Sequence, residues 1–147
     1  MEPDKKDILI LRVLQKDSRL SLRKIAKKTG VSIVTVMKHI KRLEENGVIT
    51  QYSAFLDYEK LGFDLQAITS ISVAKGKLFD VEKKIASHPN VTAVYDVTGH
   101  FDVFVIARFK NRKSLDNYLK KVQTFDFVEK TETIIVLNAI KEGLLKL

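Results

Sequence analysis

Residues 20–49, LSLRKIAKKTGVSIVTVMKHIKRLEENGVI, constrain the fold more than any other stretch of the chain. Two helical periodicities flank a tight turn, Gly30-Val31-Ser32. In the first, Leu22, Ile25, Ala26 and Thr29 share a face, and Ser21 stands where an N-cap accepts from a free first-turn amide. In the second, Val36, Ile40, Leu43 and Gly47 recur at helical spacing behind another cap, Ser32. The opposite side of that helix carries Val34, Thr35, Lys38, Lys41 and Arg42. One face buried against the first helix leaves an outward face of cations, a hydroxyl and a small apolar group. The major groove of duplex DNA calls for that set: charge for phosphates and guanine edges, and a methyl-sized contact for thymine. The candidate DNA-contacting residues are Ser32, Val34, Thr35, Lys38, His39, Lys41 and Arg42. His39 lies at the border of the buried face, where a partly buried structural imidazole outweighs a base-reading one.

Charge follows the same division. Residues 1–50 hold 12 Lys/Arg against 6 Asp/Glu, a net of +6, whereas residues 51–147 hold 14 against 12, a net of +2. A polyanion partner is therefore expected at the N-terminal part. With no cysteine there is no disulfide, no thiol nucleophile and no cysteine-based zinc site. No apolar run approaches the roughly 18–20 residues of a membrane-spanning helix. The start, MEPDKKD, has no apolar signal core. A soluble, cytoplasmic chain with no membrane partner is expected.

Before the central stretch, Asp4 reads as the cap of a first helix, with Asp7 in its positive first turn and Ile8, Ile10, Leu11, Val13 and Leu14 as a broad apolar stripe. After it, residues 48–56 read as an extended, strand-favouring hinge, and 57–61 as a helical turn ended by Gly62. The period then changes. Strands are expected at 65–74, 91–98, 102–109 and 128–137, with helices at 79–86 and 114–122 between them and a short terminal helix over 140–147. In the second strand Val91, Ala93, Tyr95 and Val97 alternate. The third, Val103 to Ala107, is apolar on both faces. The order βαββαβ, with a short turn between the middle strands, is the split-βαβ, ferredoxin-like arrangement. Its two helices cover one face of the sheet, so the other face needs a partner, most simply a second copy of the chain. The fold class is α+β: a trihelical helix-turn-helix domain at 1–50, a hinge at 51–62, and a βαββαβ domain at 63–147.

Residues for catalysis are sparse. His39, His88 and His100 are scattered, no metal-binding or phosphate-loop spacing occurs, and no catalytic residue, metal ligand or cofactor site is assigned. An enzyme is not expected.

Two halves together carry a family resemblance. Asp7, Ile8 and Leu11 open the chain; Arg19-Leu20-Ser21, Ile25-Ala26, Gly30-Val31-Ser32, Val36, Ile40, Leu43-Glu44 and Gly47-Val48-Ile49 follow. Far downstream comes Thr98-Gly99-His100-Phe101-Asp102. The chain resembles the Lrp/AsnC, or feast/famine, transcription regulators over essentially its whole length. The last segment is similar to that family's TGxxD turn. The resemblance implies a dimer that binds double-stranded DNA through the N-terminal unit. It also implies a C-terminal domain that pairs sheet to sheet, often assembling dimers into octamers. That domain would sense an amino acid through Thr98, Gly99, His100, Phe101 and Asp102, with Thr131 and Thr133 on a nearby strand. The chemistry suits an α-amino acid, since turn amides can receive a carboxylate and Asp102 an ammonium. Two other readings compete. Some haem-biosynthesis decarboxylases resemble this family in fold and would use His100 and Arg108. An architectural protein would coat DNA with little sequence preference.

Overall fold

The computed structural model describes residues 2–147 and divides them into two compact units, one reaching Phe55 and including Lys141–Leu147, the other Leu56–Ile140. The sequence division had placed those last seven residues in the second domain.

The first unit is three helices, α1 (Lys5–Lys16), α2 (Leu22–Thr29) and α3 (Ile33–Glu45). Each begins at the expected cap. Asp4 accepts from the amides of Lys6 and Asp7 at 2.8 and 2.9 Å, and the Asp7 carboxylate accepts from the Asp4 amide at 2.8 Å, a reciprocal capping box. Ser21 accepts from the Lys24 amide and Ser32 from the Thr35 amide. Between α2 and α3 the chain reverses at Gly30, whose φ of 72° places it in the left-handed region that side chains disfavour. Ile10, Ile25, Ala26 and Val36 form the buried core, with Val13, Leu14, Leu20 and Ile40 against it. Gly47 does not join the buried face of α3, as its spacing suggested. The helix ends at Glu45, and Gly47, at φ 68°, turns the chain so that the amides of Val48 and Ile49 return to the Leu43 carbonyl.

Residues 51–57 form no strand. Strand propensity there is real, but a strand exists only by pairing, and among the described residues no edge pairs with it. The expected turn follows at 58–62, closed by Gly62 and Phe63 amides on the Glu59 and Tyr58 carbonyls.

The second unit is β1 (Leu65–Val73), α4 (Leu78–Ala86), β2 (Val91–Asp96), β3 (Val103–Phe109), α5 (Arg112–Gln123) and β4 (Val128–Ile135). The sheet order is β2-β3-β1-β4 and every neighbouring pair is antiparallel. Each helix therefore joins two parallel strands with a third strand between them, as the βαββαβ reading required. One cluster unites the inward residues of the sheet, Ala67, Ile71, Val103, Val105, Ala107 and Phe109, with Val81 and Ile85 of α4 and Leu115, Tyr118 and Val122 of α5. Both helices thus cover one face.

Two sequence expectations fail here. The alternation in β2 is broken by a bulge at Thr92: Val91 pairs with Ala107 but Ala93 with Ile106. Val91 and Val94 consequently face the core, while Tyr95 is 55% exposed. The second failure is the terminal helix, since residues 140–147 are irregular. An eight-residue helix lacks the length to stand without packing. Instead Leu144 and Leu147 line a groove with Leu11, Leu14, Tyr52 and Phe55 of the first unit. Arg12 Nε donates to the Leu147 carbonyl at 2.9 Å, and Gln15 Nε2 to the Leu145 carbonyl at 3.0 Å.

Candidate nucleic-acid interface and effector site

The outward face of α3 is built from its start. Ser32 serves as cap and also meets the Thr35 hydroxyl at 2.8 Å, so the two oxygens are held together at the first turn. Val34 is 57% exposed, and Lys38 and Lys41 are exposed beside it. Lys41 is loosely paired with Glu45 at 3.7 Å; Lys38 has no ion-pair partner among the described residues. Sequence reasoning missed two apolar neighbours on this face, Ile33 and Met37, both exposed. Neither was assigned to a face by its spacing, and the way α3 packs leaves both outside the core. On α2, Arg23, Lys24, Lys27 and Lys28 are exposed as well.

Arg42 and His39 stand elsewhere. Arg42 Nη2 donates to Asp7 Oδ2 at 2.6 Å and to Asp4 Oδ2 at 3.0 Å, and His39 Nδ1 lies 2.7 Å from Asp7 Oδ1. The outward placement of Arg42 is therefore corrected: its guanidinium turns back onto α1. His39 is structural in the same way. Asp7 is fully buried, which pushes its carboxyl up, but Arg42, His39 and the Asp4 amide more than offset this and hold it at about 2. Donor atoms of Asp4, Asp7 and His39 lie within 4.8 Å of one another, a spacing a cation could use. The Arg42 guanidinium already supplies positive charge at that point. What the network does chemically is lock α3 to α1 through charge-assisted bonds.

The second set of residues divides between the two faces of the sheet. Thr98, Gly99 and His100 are exposed in the turn between β2 and β3. Asp102 anchors that turn to β1: its carboxylate accepts from the Val73 amide at 2.8 Å, and its own amide donates to the Ile71 carbonyl at 2.9 Å. Phe101 lies under the Lys130 ammonium, 5.3 Å from the ring centre, which brings β4 to the turn. Thr131 and Thr133 are not beside it. They pair in register with Ile71 and Thr69, whose side chains belong to the helix-covered face. Thr133 meets the Thr69 hydroxyl at 3.2 Å, and Gln123 of α5 donates to Thr131. Lys130, one residue away, is the β4 residue on the turn's side. His100 and Arg108 sit beyond and near opposite ends of β3, roughly 25 Å of strand apart; they build no common cleft.

A winged helix-turn-helix DNA-binding family matches residues 3–50, and the Lrp/AsnC ligand binding domain matches residues 66–145. An HTH-type transcriptional regulator of Pyrococcus horikoshii is 46% identical over 142 residues, covering 97% of this chain and 96% of that one. The structure of Escherichia coli AsnC superposes with a TM-score of 0.93 at 28% identity, covering 99% of both chains. A transcriptional regulator from Neisseria meningitidis, solved as its L-Met complex, superposes at 0.88 with 27% identity, covering 97% of this chain and 94% of that one. With a DNA-binding helix-turn-helix unit, a ligand-binding domain and full-length relatives of this kind, the chain belongs to the Lrp/AsnC family of transcriptional regulators.

Proposed function

We propose that Ser32, Val34, Thr35, Lys38 and Lys41 contact duplex DNA, with α3 in the major groove, and that an α-amino acid at the turn Thr98–Asp102 regulates that contact. The observation that carries the first part is the asymmetry of α3. One side is bonded to α1 through His39 and Arg42, and the other presents Val34 and an unpaired Lys38. Exposed cations on α2 supply phosphate contacts that fix orientation without reading sequence. Lys38→Ala should weaken binding to a site selected from random DNA by about 1–3 kcal/mol if Lys38 reads a base, relaxing preference at one position. If it meets a phosphate, all sequences weaken alike and the salt slope drops by about one. Unchanged affinity in both Lys38→Ala and Lys41→Ala would remove α3 from the interface.

The effector reading rests on the ligand-binding domain match and on the L-Met complex of the Neisseria regulator. The exposed turn has amides for a carboxylate, and Asp102 has a second carboxylate oxygen beyond the one that Val73 occupies. Asp102→Asn keeps an acceptor for the Val73 amide and loses the charge. Calorimetric titration with L-methionine and the other amino acids should show the fold kept and affinity lowered by about tenfold or more in this variant. Equal binding by both proteins would place the effector elsewhere.

A homodimer through the outer sheet face completes the reading. Tyr95, Phe104 and Ile134 are exposed there, with Ile68 and Ile106 half-buried beside them, an apolar row on the face the helices leave uncovered. Sedimentation of the full chain tests it: a monomer at every concentration would overturn it.

A further inference from the structure

We propose that the cleft between α4 and α5 binds a small organic acid: a carboxylate on a branched or aromatic body and without an α-ammonium, the 2-oxo acid class. The cleft measures about 280 Å³. Ile85, Pro89, Val122 and Phe125 make it apolar, while Lys84, His88 and Lys121 stand at its edge. Neither lysine has an ion-pair partner among the described residues, and no carboxylate lines the space. His88 Nδ1 accepts from the Asn90 amide at 3.2 Å, which fixes the neutral ring with its proton on Nε2, a donor. Burial, and Lys121 nearby, lower the pKa of that ring and keep it neutral.

The wall between them is Tyr118, and its chemistry is unexplained by packing. The ring is 2% exposed, held between His88 and Phe109 at centroid distances of 5.0 and 5.2 Å. Its hydroxyl is buried with no hydrogen-bond partner. A phenylalanine would fill the ring's place without that penalty, so a donor is retained where the fold gives it nothing to donate to. Two ammonium groups and an imidazole stand round one apolar space, and the unpartnered hydroxyl lies buried behind the wall that the Tyr118 ring forms. Such a set suits an anion. The apolar floor favours one that carries a hydrocarbon body over bare phosphate. The lack of any acidic side chain leaves an α-ammonium without a partner, which disfavours an amino acid. This site and its ligand class are separate from the effector turn, whose Asp102 supplies just the charge missing here.

Calorimetric titration of the full chain with 4-methyl-2-oxopentanoate and with phenylpyruvate tests the proposal, with leucine, phenylalanine and inorganic phosphate as contrasts. At least one oxo acid should saturate a single site. Lys121→Gln, at an exposed position, should weaken it by about tenfold. Tyr118→Phe should weaken it by about threefold or more while leaving the melting temperature unchanged or raised. Should Tyr118→Phe fail to fold, Lys84→Gln takes its place. Asp102→Asn should leave oxo-acid binding intact, which keeps the test independent of the turn. Absence of binding by both oxo acids overturns the site, as does binding that the substitutions do not change. Equal affinity for leucine, phenylalanine or phosphate overturns the ligand class.

Discussion

In the helical unit the core cluster is four buried residues, Ile10, Ile25, Ala26 and Val36; in the sheet unit it is twelve. The smaller unit also encloses the fully buried Asp7, ringed by Arg42, His39 and the Asp4 amide. Among the described residues the sheet unit buries three hydroxyl side chains, Thr69, Ser70 and Tyr118, and no carboxylate. The difference is one of what must be fixed. A sheet is aligned by its ladder of backbone bonds, so apolar filling suffices. Three short helices have no such ladder between them, and apolar contacts alone tolerate sliding and rotation. An ion pair with defined geometry does not. Asp7 therefore sets the angle of α3, the property on which the proposed reading of DNA by that helix depends.

Matched substitutions in the two units separate these roles. Phe109→Ala, a fully buried ring in the sheet unit, should cost about 3–5 kcal/mol. Asp7→Asn, nearly isosteric, should cost about 3 kcal/mol, the low end for splitting a buried pair because Arg42 remains partly exposed to water. Hydrogen exchange followed by residue should localise each loss to its own unit. If Asp7→Asn leaves the helical unit as protected as before, the network is ornamental and the apolar core carries α3.

A smaller difference between the two units depends on pH. The Asp7 carboxyl is held at about 2 against an ordinary 3.8. A depressed folded-state pKa gives stability that is fully present above the ordinary value and is lost as pH falls through the depressed one. Acidification from pH 4 to pH 2 should therefore open the helical unit before the sheet unit, as read by amide exchange. Simultaneous opening of both would mean that Asp7 is not the difference between them.

The sequence displayed what is local. Asp4, Ser21 and Ser32 were readable as caps because a cap is chosen by its own first turn, and the helix-turn-helix followed from spacing around Gly30. The order βαββαβ followed from changes of period and from the short turn after Asp96. What depended on distant pairing was hidden. Arg42 lies 35 residues from Asp7, and helical spacing alone turned it outward. The bulge at Thr92 shifts β2 by one residue, and one residue reverses every side chain beyond it. Thr131 and Thr133 were grouped with the turn by nearness along the family pattern, while the register with β1 sends them to the helix side. The extended hinge read at residues 48–56 had strand-favouring composition and no strand beside it to pair with.

The bond from Arg12 to the Leu147 carbonyl spans 135 positions of sequence. The helical unit thus receives one of its walls from a segment made after the whole sheet unit. While a nascent chain is still emerging, α1, α2 and α3 can assemble, but the groove beside Leu11 and Leu14 stays open until residues 144–147 have been made. A chain cut before residue 144 leaves this side of the helix-turn-helix unit uncovered.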